Sequence, residues 1–291
     1  KAEVASCPGD NSLAVQVLGS GGPIADDGRA STAYVVWVDG ASRVLVDAGG
    51  GAFLRFGEAD ARFDDLDFIG LSHFHTDHSA DLPALLKSGY FSKRSRPLSI
   101  AGPAGAGRFP GLQGFLTAML DAERGAYAYL SGYLDGSGGL ARLEQIEVPV
   151  GSAGPVALTT VSSERFEVDA LHVPHGPVPA LAFRLRLGDT TLVFAGDQNG
   201  SDPAFVELAR DADLLVMHMP IPQDADPVAR NLHATPEAIG EIAQAAGAKV
   251  LLLSHFMARS LAELDKNVGV VRSRYSGRVI VAEDLACVPL L

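Results

Sequence analysis

This sequence contains few cysteines and no long hydrophobic run, and its basic residues are outnumbered by its acidic ones. No uninterrupted apolar run reaches the roughly 18 residues that a membrane helix needs, so no membrane span is expected. Basic residues number 23 against 35 acidic ones, a formal balance of −12. The densest basic stretch, Lys93, Arg94 and Arg96, is typical of a solvated loop, with an anion-binding surface as the alternative. Because the overall field repels nucleic acid and anionic lipid, we expect neither as a partner.

The composition that remains is typical of a folded protein. Of the 291 residues, 47% are apolar and 20% are charged, which indicates a packed core and excludes a disordered chain. The 32 glycines and 17 prolines show no period and fall between apolar runs, where turns are expected. Collagen-like and low-complexity classes are therefore excluded.

The two cysteines, Cys7 and Cys287, stand near opposite ends of the chain. An exported protein could join its termini through them, and a first residue Lys1 in place of methionine fits a removed leader. The alternative is two unrelated small apolar residues in a reducing compartment. We expect a periplasmic or secreted protein with a disulfide, and a cytoplasmic one as the alternative.

Short apolar runs alternate with glycine-rich turns along the chain. They predict strands throughout, with a hairpin around Asp39-Gly40 and a helix over residues 79–88. The best-signalled helix follows Thr235, a capping residue, and stops at Gly247. Interleaved strands and helices in both halves predict an α/β layered sandwich of two sheets with helices outside.

The predicted domain organisation is a single domain over residues 1–291. Residues 1–12 form an N-terminal extension in this interpretation. The less regular segment 103–145 is interpreted as an insertion that could act as a lid, with an ordinary surface insertion as the alternative.

The informative chemistry begins in a six-residue segment after a short apolar strand. His73 and His75 are two residues apart, so in extended backbone they point the same way and can bind one cation. Asp77 and His78 follow and can turn toward a second. A lone histidine is usually a surface or hydrogen-bonded core residue, but three with an aspartate at a strand end are typical of metal ligands.

Further ligand candidates stand at the ends of other predicted strands. His175, Asp197 and His255 each come at or just after such an end, where a rigid scaffold can present a site. Asp197 is the natural bridge, because its two carboxylate oxygens can hold two cations about 3.5 to 4 Å apart. We predict two zinc ions, with manganese or iron as alternatives.

These motifs, in this order, resemble those of the metallo-β-lactamase superfamily over roughly residues 15–281. The resemblance implies a four-layer αββα sandwich with a two-metal site between its sheets. It assigns seven ligands, three to the first ion, three to the second and one to both: His73, His75 and His175; Asp77, His78 and His255; and Asp197. Residues 232–259 look most like the ribonuclease Z, phosphodiesterase and arylsulfatase-like branch.

The resemblance also bears on residues beyond the ligands. Similar proteins of that branch carry a His-Glu pair where this chain has His218-Met219, so a proton relay through that glutamate is in doubt. His218 is then expected either to line the pocket for substrate binding or to pack in its wall. His172, three residues before His175, is expected to be structural. His233 matches a motif histidine near the metals and is expected to donate a proton to the leaving group or to bind an anionic oxygen.

Together these residues predict a dinuclear zinc hydrolase of ester bonds that uses a metal-bridging hydroxide, because zinc lowers the pKa of bound water to about 7. Asp77 would ligate and accept a hydrogen bond from that hydroxide, and Arg29 in its polar loop could meet an anionic substrate.

The expected substrate is a small anionic or aryl ester, a phosphodiester or sulfate ester foremost. Lactone or β-lactam hydrolysis is the alternative in the same fold, and a non-catalytic metal-binding protein is the alternative of another class. Precursor transfer RNA is not expected, because the net charge is −12 and the chain shows no lysine- or glycine-rich arm.

Overall fold

The structure is a computed structural model that describes residue 7 and residues 13–151, 154–158 and 165–290. The predicted extension over residues 1–12 lies outside these residues except for Cys7. Within them, fourteen strands form two seven-stranded mixed sheets. The strands are β1 (Leu13–Gly19), β2 (Ala33–Val38), β3 (Ala41–Val46), β4 (Phe68–Gly70), β5 (Leu98–Pro103), β6 (Leu143–Val148), β7 (Val156–Ala157), β8 (Glu167–His175), β9 (Val178–Leu187), β10 (Thr190–Phe194), β11 (Leu214–His218), β12 (Val250–Ser254), β13 (Arg278–Val281) and β14 (Cys287–Leu290).

Ten α-helices connect these strands within the same residues. They are α1 (Ala52–Glu58), α2 (Thr76–Ser79), α3 (Leu82–Tyr90), α4 (Leu112–Leu120), α5 (Gly132–Asp135), α6 (Pro203–Leu208), α7 (Pro227–Leu232), α8 (Pro236–Ala246), α9 (Ala258–Leu261) and α10 (Leu264–Arg274). The helix predicted after Thr235 is α8, and the Thr235 side chain accepts a hydrogen bond from the Ala238 amide at 3.3 Å.

The two sheets run in the orders β14-β1-β2-β3-β4-β5-β6 and β13-β12-β11-β10-β9-β8-β7. Each begins as an antiparallel meander and continues as parallel strands, β3 to β6 in the first sheet and β10 to β13 in the second. Parallel strands end at the same edge of a sheet. The residues that follow β10, β11 and β12 therefore meet at one edge, and this topology places the candidate site.

Both faces of the first sheet are buried. Along β1 and β2, Val15 and Tyr34 belong to the cluster between the sheets, whereas Ala14 and Val35 belong to a second cluster with helices α1, α3 and α4. The alternation follows from the two-residue period of a strand. Residues of α6, α8 and α10 join the large cluster on the other sheet. The predicted four-layer αββα sandwich is confirmed.

The segment predicted as an insertion, residues 103–145, returns to the first sheet through β6. Its helix α4 buries Leu112, Leu116 and Leu120 against the outer side of that sheet. A lid function for the segment stays a prediction. No helix in the described part of the chain is long and apolar enough to cross a membrane.

The chain ends are joined. Cys7 and Cys287 form a disulfide, and Cys287 begins β14, which pairs with β1 at the edge of the first sheet. In the basic stretch after α3, Lys93 and Arg96 are exposed, but Arg94 is not solvated as the charge pattern suggests. Arg94 is only 7% exposed, and its guanidinium donates hydrogen bonds to the carbonyls of Asp64, Leu66 and Pro97. Burial against backbone acceptors explains the difference, because a guanidinium offers five donors in a rigid fork.

Candidate metal centre

The seven predicted ligands converge at one end of the sandwich. The segment from His73 to His78 leaves β4 and enters α2, His175 ends β8, and Asp197 and His255 follow β10 and β12. Gly196 allows the chain to turn there, because it adopts a φ of 60° and a Cβ atom would lie 2.3 Å from the Leu181 carbonyl oxygen. Strand ends and this turn therefore bring side chains up to 182 residues apart (255 − 73) into one cluster.

The first group consists of His73, His75 and His175, whose ligand atoms all lie within 4.8 Å of one another. His73 Nε2 is 3.0 Å from His75 Nδ1. His175 Nδ1 is 2.8 Å from the Leu232 carbonyl oxygen. That contact requires the proton on Nδ1, so the Nε2 lone pair of His175 faces the group, as in metal-binding histidines generally.

The second group consists of Asp77, His78 and His255. His255 Nε2 lies 3.1 Å from His78 Nε2 and 3.3 Å from Asp77 Oδ2. His255 adopts a left-handed φ of 56°. Such backbone is costly for a residue with a side chain and is typical of functional sites.

Asp197 lies between the two groups and is only 2% exposed. Its Oδ2 is 3.7 Å from His175 Nε2 and 3.6 Å from His78 Nε2, and its Oδ1 is 3.4 Å from His255 Nε2. The carboxylate is therefore within reach of both groups.

The donor set fits divalent metal. Two ligand atoms bound to one tetrahedral ion at about 2.1 Å are about 3.4 Å apart, and the closest donor contacts within the two groups and with Asp197 run from 3.0 to 3.9 Å. His175 Nε2 is buried without a hydrogen-bond partner. A buried, unpaired nitrogen is unfavourable in a protein unless it has a ligand.

The electrostatics of the cluster are those of closely spaced buried groups. Burial lowers the pKa of His73 and of His75, which favours the neutral imidazole that binds metal. Burial raises the pKa of Asp77, but His78 and His255 outweigh it and lower the pKa to about 2. Burial likewise opposes ionisation of Asp197, yet His255 and His233 hold its pKa well below the usual range. Both carboxylates are therefore ionised.

Asp47, at the end of β3, is a residue that sequence reasoning missed. Its carboxylate accepts hydrogen bonds from the Ser72 amide at 2.7 Å and from the Ser72 hydroxyl at 2.8 Å, and lies 2.8 Å from His78 Nδ1. The contact with His78 places the proton on Nδ1 and leaves Nε2 free to bind metal. A left-handed φ of 60° at Asp47 has no reliable sequence signature in a single chain.

His218 lies in the wall of the site rather than on the cavity surface. Its Nδ1 is 2.7 Å from Asp197 Oδ1, and its Nε2 is 3.1 Å from the hydroxyl of Tyr34 on the first sheet. Burial lowers the pKa of His218 to about 4, so the imidazole is neutral. Of the two expectations for His218, the geometry corrects the substrate-binding one, because both ring nitrogens face buried partners.

Arg29 is placed away from the cavity and needs the same correction. Its guanidinium donates to the Ser20 hydroxyl at 2.6 Å and to the Ala282 carbonyl at 2.9 Å, and it lies over the ring of Phe256. It therefore stabilises the loop beside the site. The cavity is instead lined by Arg259, which sequence reasoning missed although it stands only four residues after His255.

The cavity over the cluster has a volume of about 540 Å³. His75, Asp77, His175, Asp197, His233 and His255 line it. The Nδ1 atom of His233 lies 3.8 Å from Asp197 Oδ2 and is buried without a hydrogen-bond partner. Burial lowers the pKa of His233 to about 3, so its neutral ring offers one N–H donor to an oxygen in the cavity. His172 lies on β8 and contributes to none of the candidate ligand groups in the described ranges.

Comparison with known proteins agrees with this arrangement. A family model described as a beta-lactamase superfamily domain matches residues 42–256. The chain is 27% identical to a ribonuclease Z of Methanosarcina acetivorans, over 94% of this chain and 96% of that protein.

Solved structures share the fold, and two of them illustrate it. The metallo-beta-lactamase fold protein YhfI from Bacillus subtilis superposes with a TM-score of 0.74 and 22% identity, covering 96% of this chain and 99% of its own. The short form of human tRNase Z superposes with a TM-score of 0.71 and 22% identity, covering 94% and 98%.

These relatives overturn one expectation. The net charge of −12 favours a small ester substrate without a nucleic-acid partner. The relatives that match nearly the full length of the chain are instead named for ribonuclease activity. The physical reason for the error is that net charge describes the field of the whole molecule, whereas a substrate meets the local charges of the site.

Proposed function

This chain belongs to the beta-lactamase superfamily and is a hydrolase of the metallo-β-lactamase fold, and we propose that it cleaves phosphodiester bonds in RNA using bound divalent metal. The observation that carries the proposal is the clustering of seven histidine and aspartate side chains, five of which line one cavity. The ribonuclease Z relatives supply the substrate class. The resemblance to the ribonuclease Z branch is confirmed.

We further propose two zinc ions as the metals. His73, His75 and His175 would hold one, Asp77, His78 and His255 the other, and Asp197 both. When bound, such ions lower the pKa of a coordinated water and polarise a phosphoryl oxygen.

The residues of the chain would orient the substrate. Arg259 is fixed at the cavity wall by a 3.0 Å hydrogen bond from its Nε to the Pro220 carbonyl, and its guanidinium can pair with a phosphate oxygen. The neutral imidazole of His233 can donate a hydrogen bond to the leaving oxygen. Because Arg259 lies in the cavity, it can supply local positive charge that the net charge conceals.

Metal analysis combined with an RNA cleavage assay tests the proposal. The purified protein is expected to retain two equivalents of zinc and to cleave RNA, assayed with a transfer RNA substrate. Asp197→Ala should lose metal from both positions and abolish cleavage, while circular dichroism shows that the variant is folded. A protein that holds both ions but cleaves no RNA would contradict the proposal.

Arg259→Ala provides a second test of substrate binding. It should raise KM for RNA about ten-fold or more, because charge-assisted hydrogen bonds to phosphate are worth roughly 1.5 to 3 kcal/mol, and Arg259→Lys should recover part of the loss. Unchanged KM in Arg259→Ala would exclude a phosphate contact.

We also propose that the protein works in an oxidising compartment, periplasmic or extracellular. The support is the Cys7–Cys287 disulfide, since such bonds persist mainly outside the cytosol. Thiol alkylation of the protein from its native source, followed by mass measurement, tests this: labelling of both cysteines would exclude the disulfide there.

A further inference from the structure

An aromatic pair forms part of the cavity wall beside the candidate metal ligands. Phe74 lies between His73 and His75 in the chain and lines the cavity. The Phe115 ring on α4 stacks on it, with centroids 4.5 Å apart and an angle of 11° between the planes. The metal ligands account for neither ring, so the pair requires its own explanation.

The Phe74 ring is held in place by its surroundings. Phe115 covers one face of the Phe74 ring. Both rings pack against the second apolar cluster, which lies between the first sheet and helices α1, α3 and α4. On β5, a Cβ atom at Gly102 would lie 3.1 Å from the Phe74 Cζ atom, so the glycine leaves space for the edge of the ring. An aromatic surface that is already fixed loses little conformational entropy when a flat ligand stacks on it.

Phe74 stands next to two candidate metal ligands in the chain. Phe74 is directly bonded to His73 and His75 in the chain, so its backbone lies beside the backbone of these two ligands. A phosphodiester that reaches the donors carries one nucleobase on each side, and the base on the His75 side would meet the Phe74 ring.

We propose that Phe74, supported by Phe115, is a stacking site for the nucleobase next to the scissile phosphodiester. The inference rests on the proposed RNA hydrolysis. Stacking on an aromatic ring tolerates any base, because every base has a π-face. Phe74 would therefore bind single-stranded RNA at the site without reading its sequence, and α4 of the 103–145 segment would contribute through Phe115.

Dinucleotides that lack one base test the proposal. Three substrates are compared on the zinc-loaded protein: an intact diuridine, one without the 5′ base and one without the 3′ base. For the native protein, removal of the one base that stacks on Phe74 should raise KM about ten-fold, in line with measured stacking contributions. The value of kcat should stay within about two-fold of that for the intact substrate. In Phe74→Leu the intact substrate should show that same higher KM, and deletion of the base should have no further effect, because the two changes remove one interaction.

Two further variants separate stacking from folding. Phe115→Leu leaves Phe74 without its stacked partner and should have an intermediate effect. Phe91→Leu is the matched control, because Phe91 is 74% exposed and lines a different groove, and it should change nothing. Quenching of a 2-aminopurine base placed at the sensitive position gives a readout that is independent of turnover, and Phe74→Leu should abolish it.

The outcomes distinguish this inference from the proposed function. If the protein cleaves diuridine but base deletion and Phe74→Leu still raise KM independently of each other, the stacking site is wrong and RNA hydrolysis stands. If the zinc-loaded protein cleaves neither transfer RNA nor any dinucleotide, the proposed function itself fails.

Discussion

Replacing Asp47 with asparagine should disable the second metal group while leaving the cavity almost unchanged in shape. Asp47 Oδ1 accepts a hydrogen bond from the Ser72 amide, which an asparagine carbonyl can keep. Asp47 Oδ2 faces the Ser72 hydroxyl and His78 Nδ1, both at 2.8 Å. An amide NH₂ in that place donates instead of accepting, so His78 must move its proton to Nε2, the atom that faces the metal group.

The magnitude follows from these contacts. Two buried hydrogen bonds to a charged group are lost, each worth about 1.5 to 3 kcal/mol, partly offset by new bonds from the amide. We expect Asp47→Asn to lower the free energy of unfolding of the metal-free protein by about 2 to 4 kcal/mol. Loss of the residue that orients a metal ligand typically costs 10- to 100-fold in metal affinity, and we expect at least the upper end for one of the two ions.

Competition with a chromophoric zinc chelator measures the two affinities, and thermal unfolding in excess chelator measures the stability. Asp169→Asn is the matched control: Asp169 is 5% exposed and pairs with Arg184 and Arg186 on β9. The control should destabilise the protein without changing zinc affinity. If Asp47→Asn bound both ions as tightly as the native protein, the inferred proton on His78 Nδ1 would be wrong.

Three other variants test separate parts of the structure. Tyr34→Phe removes the hydroxyl that contacts His218 and should weaken zinc binding several-fold through Asp197, as the same competition assay can measure; unchanged affinity would mean that Tyr34 only fills space. Cys287→Ser should lower the free energy of unfolding by about 2 to 5 kcal/mol with RNA cleavage unchanged, and calorimetry that shows no loss would mean that the bond carries no stability. Arg29→Ala should lower the melting temperature but leave KM for RNA unchanged. A raised KM would show that Arg29 does contact the substrate.

Most of the candidate ligands could be found from the sequence because their signal is local. A buried strand reads as a short apolar run, and His175 and Asp197 stand where such runs end. The layered sandwich of two sheets with helices outside was accessible for the same reason, since two- and 3.6-residue periods are properties of short segments, whereas the four-layer αββα form was implied by the resemblance to the metallo-β-lactamase superfamily.

The substrate and the supporting residues were harder to predict. Net charge gave the wrong partner class, because it averages over a surface and does not describe the cavity that contains Arg259. The buried Arg94 shows the same limit, since neighbouring charges in the sequence do not reveal whether backbone carbonyls surround a side chain.

The sequence by itself determined which side chains can bind metal, because histidines and aspartates at strand ends are recognisable without knowing their neighbours. Only the tertiary structure decided what holds those side chains in place: Asp47 against His78, Tyr34 against His218, and Phe115 against Phe74. Each of these pairs joins residues between 31 and 184 positions apart. The physical reason is that the partner of a buried group depends on which strands and helices become neighbours, and that is fixed by packing of the whole chain rather than by any local pattern.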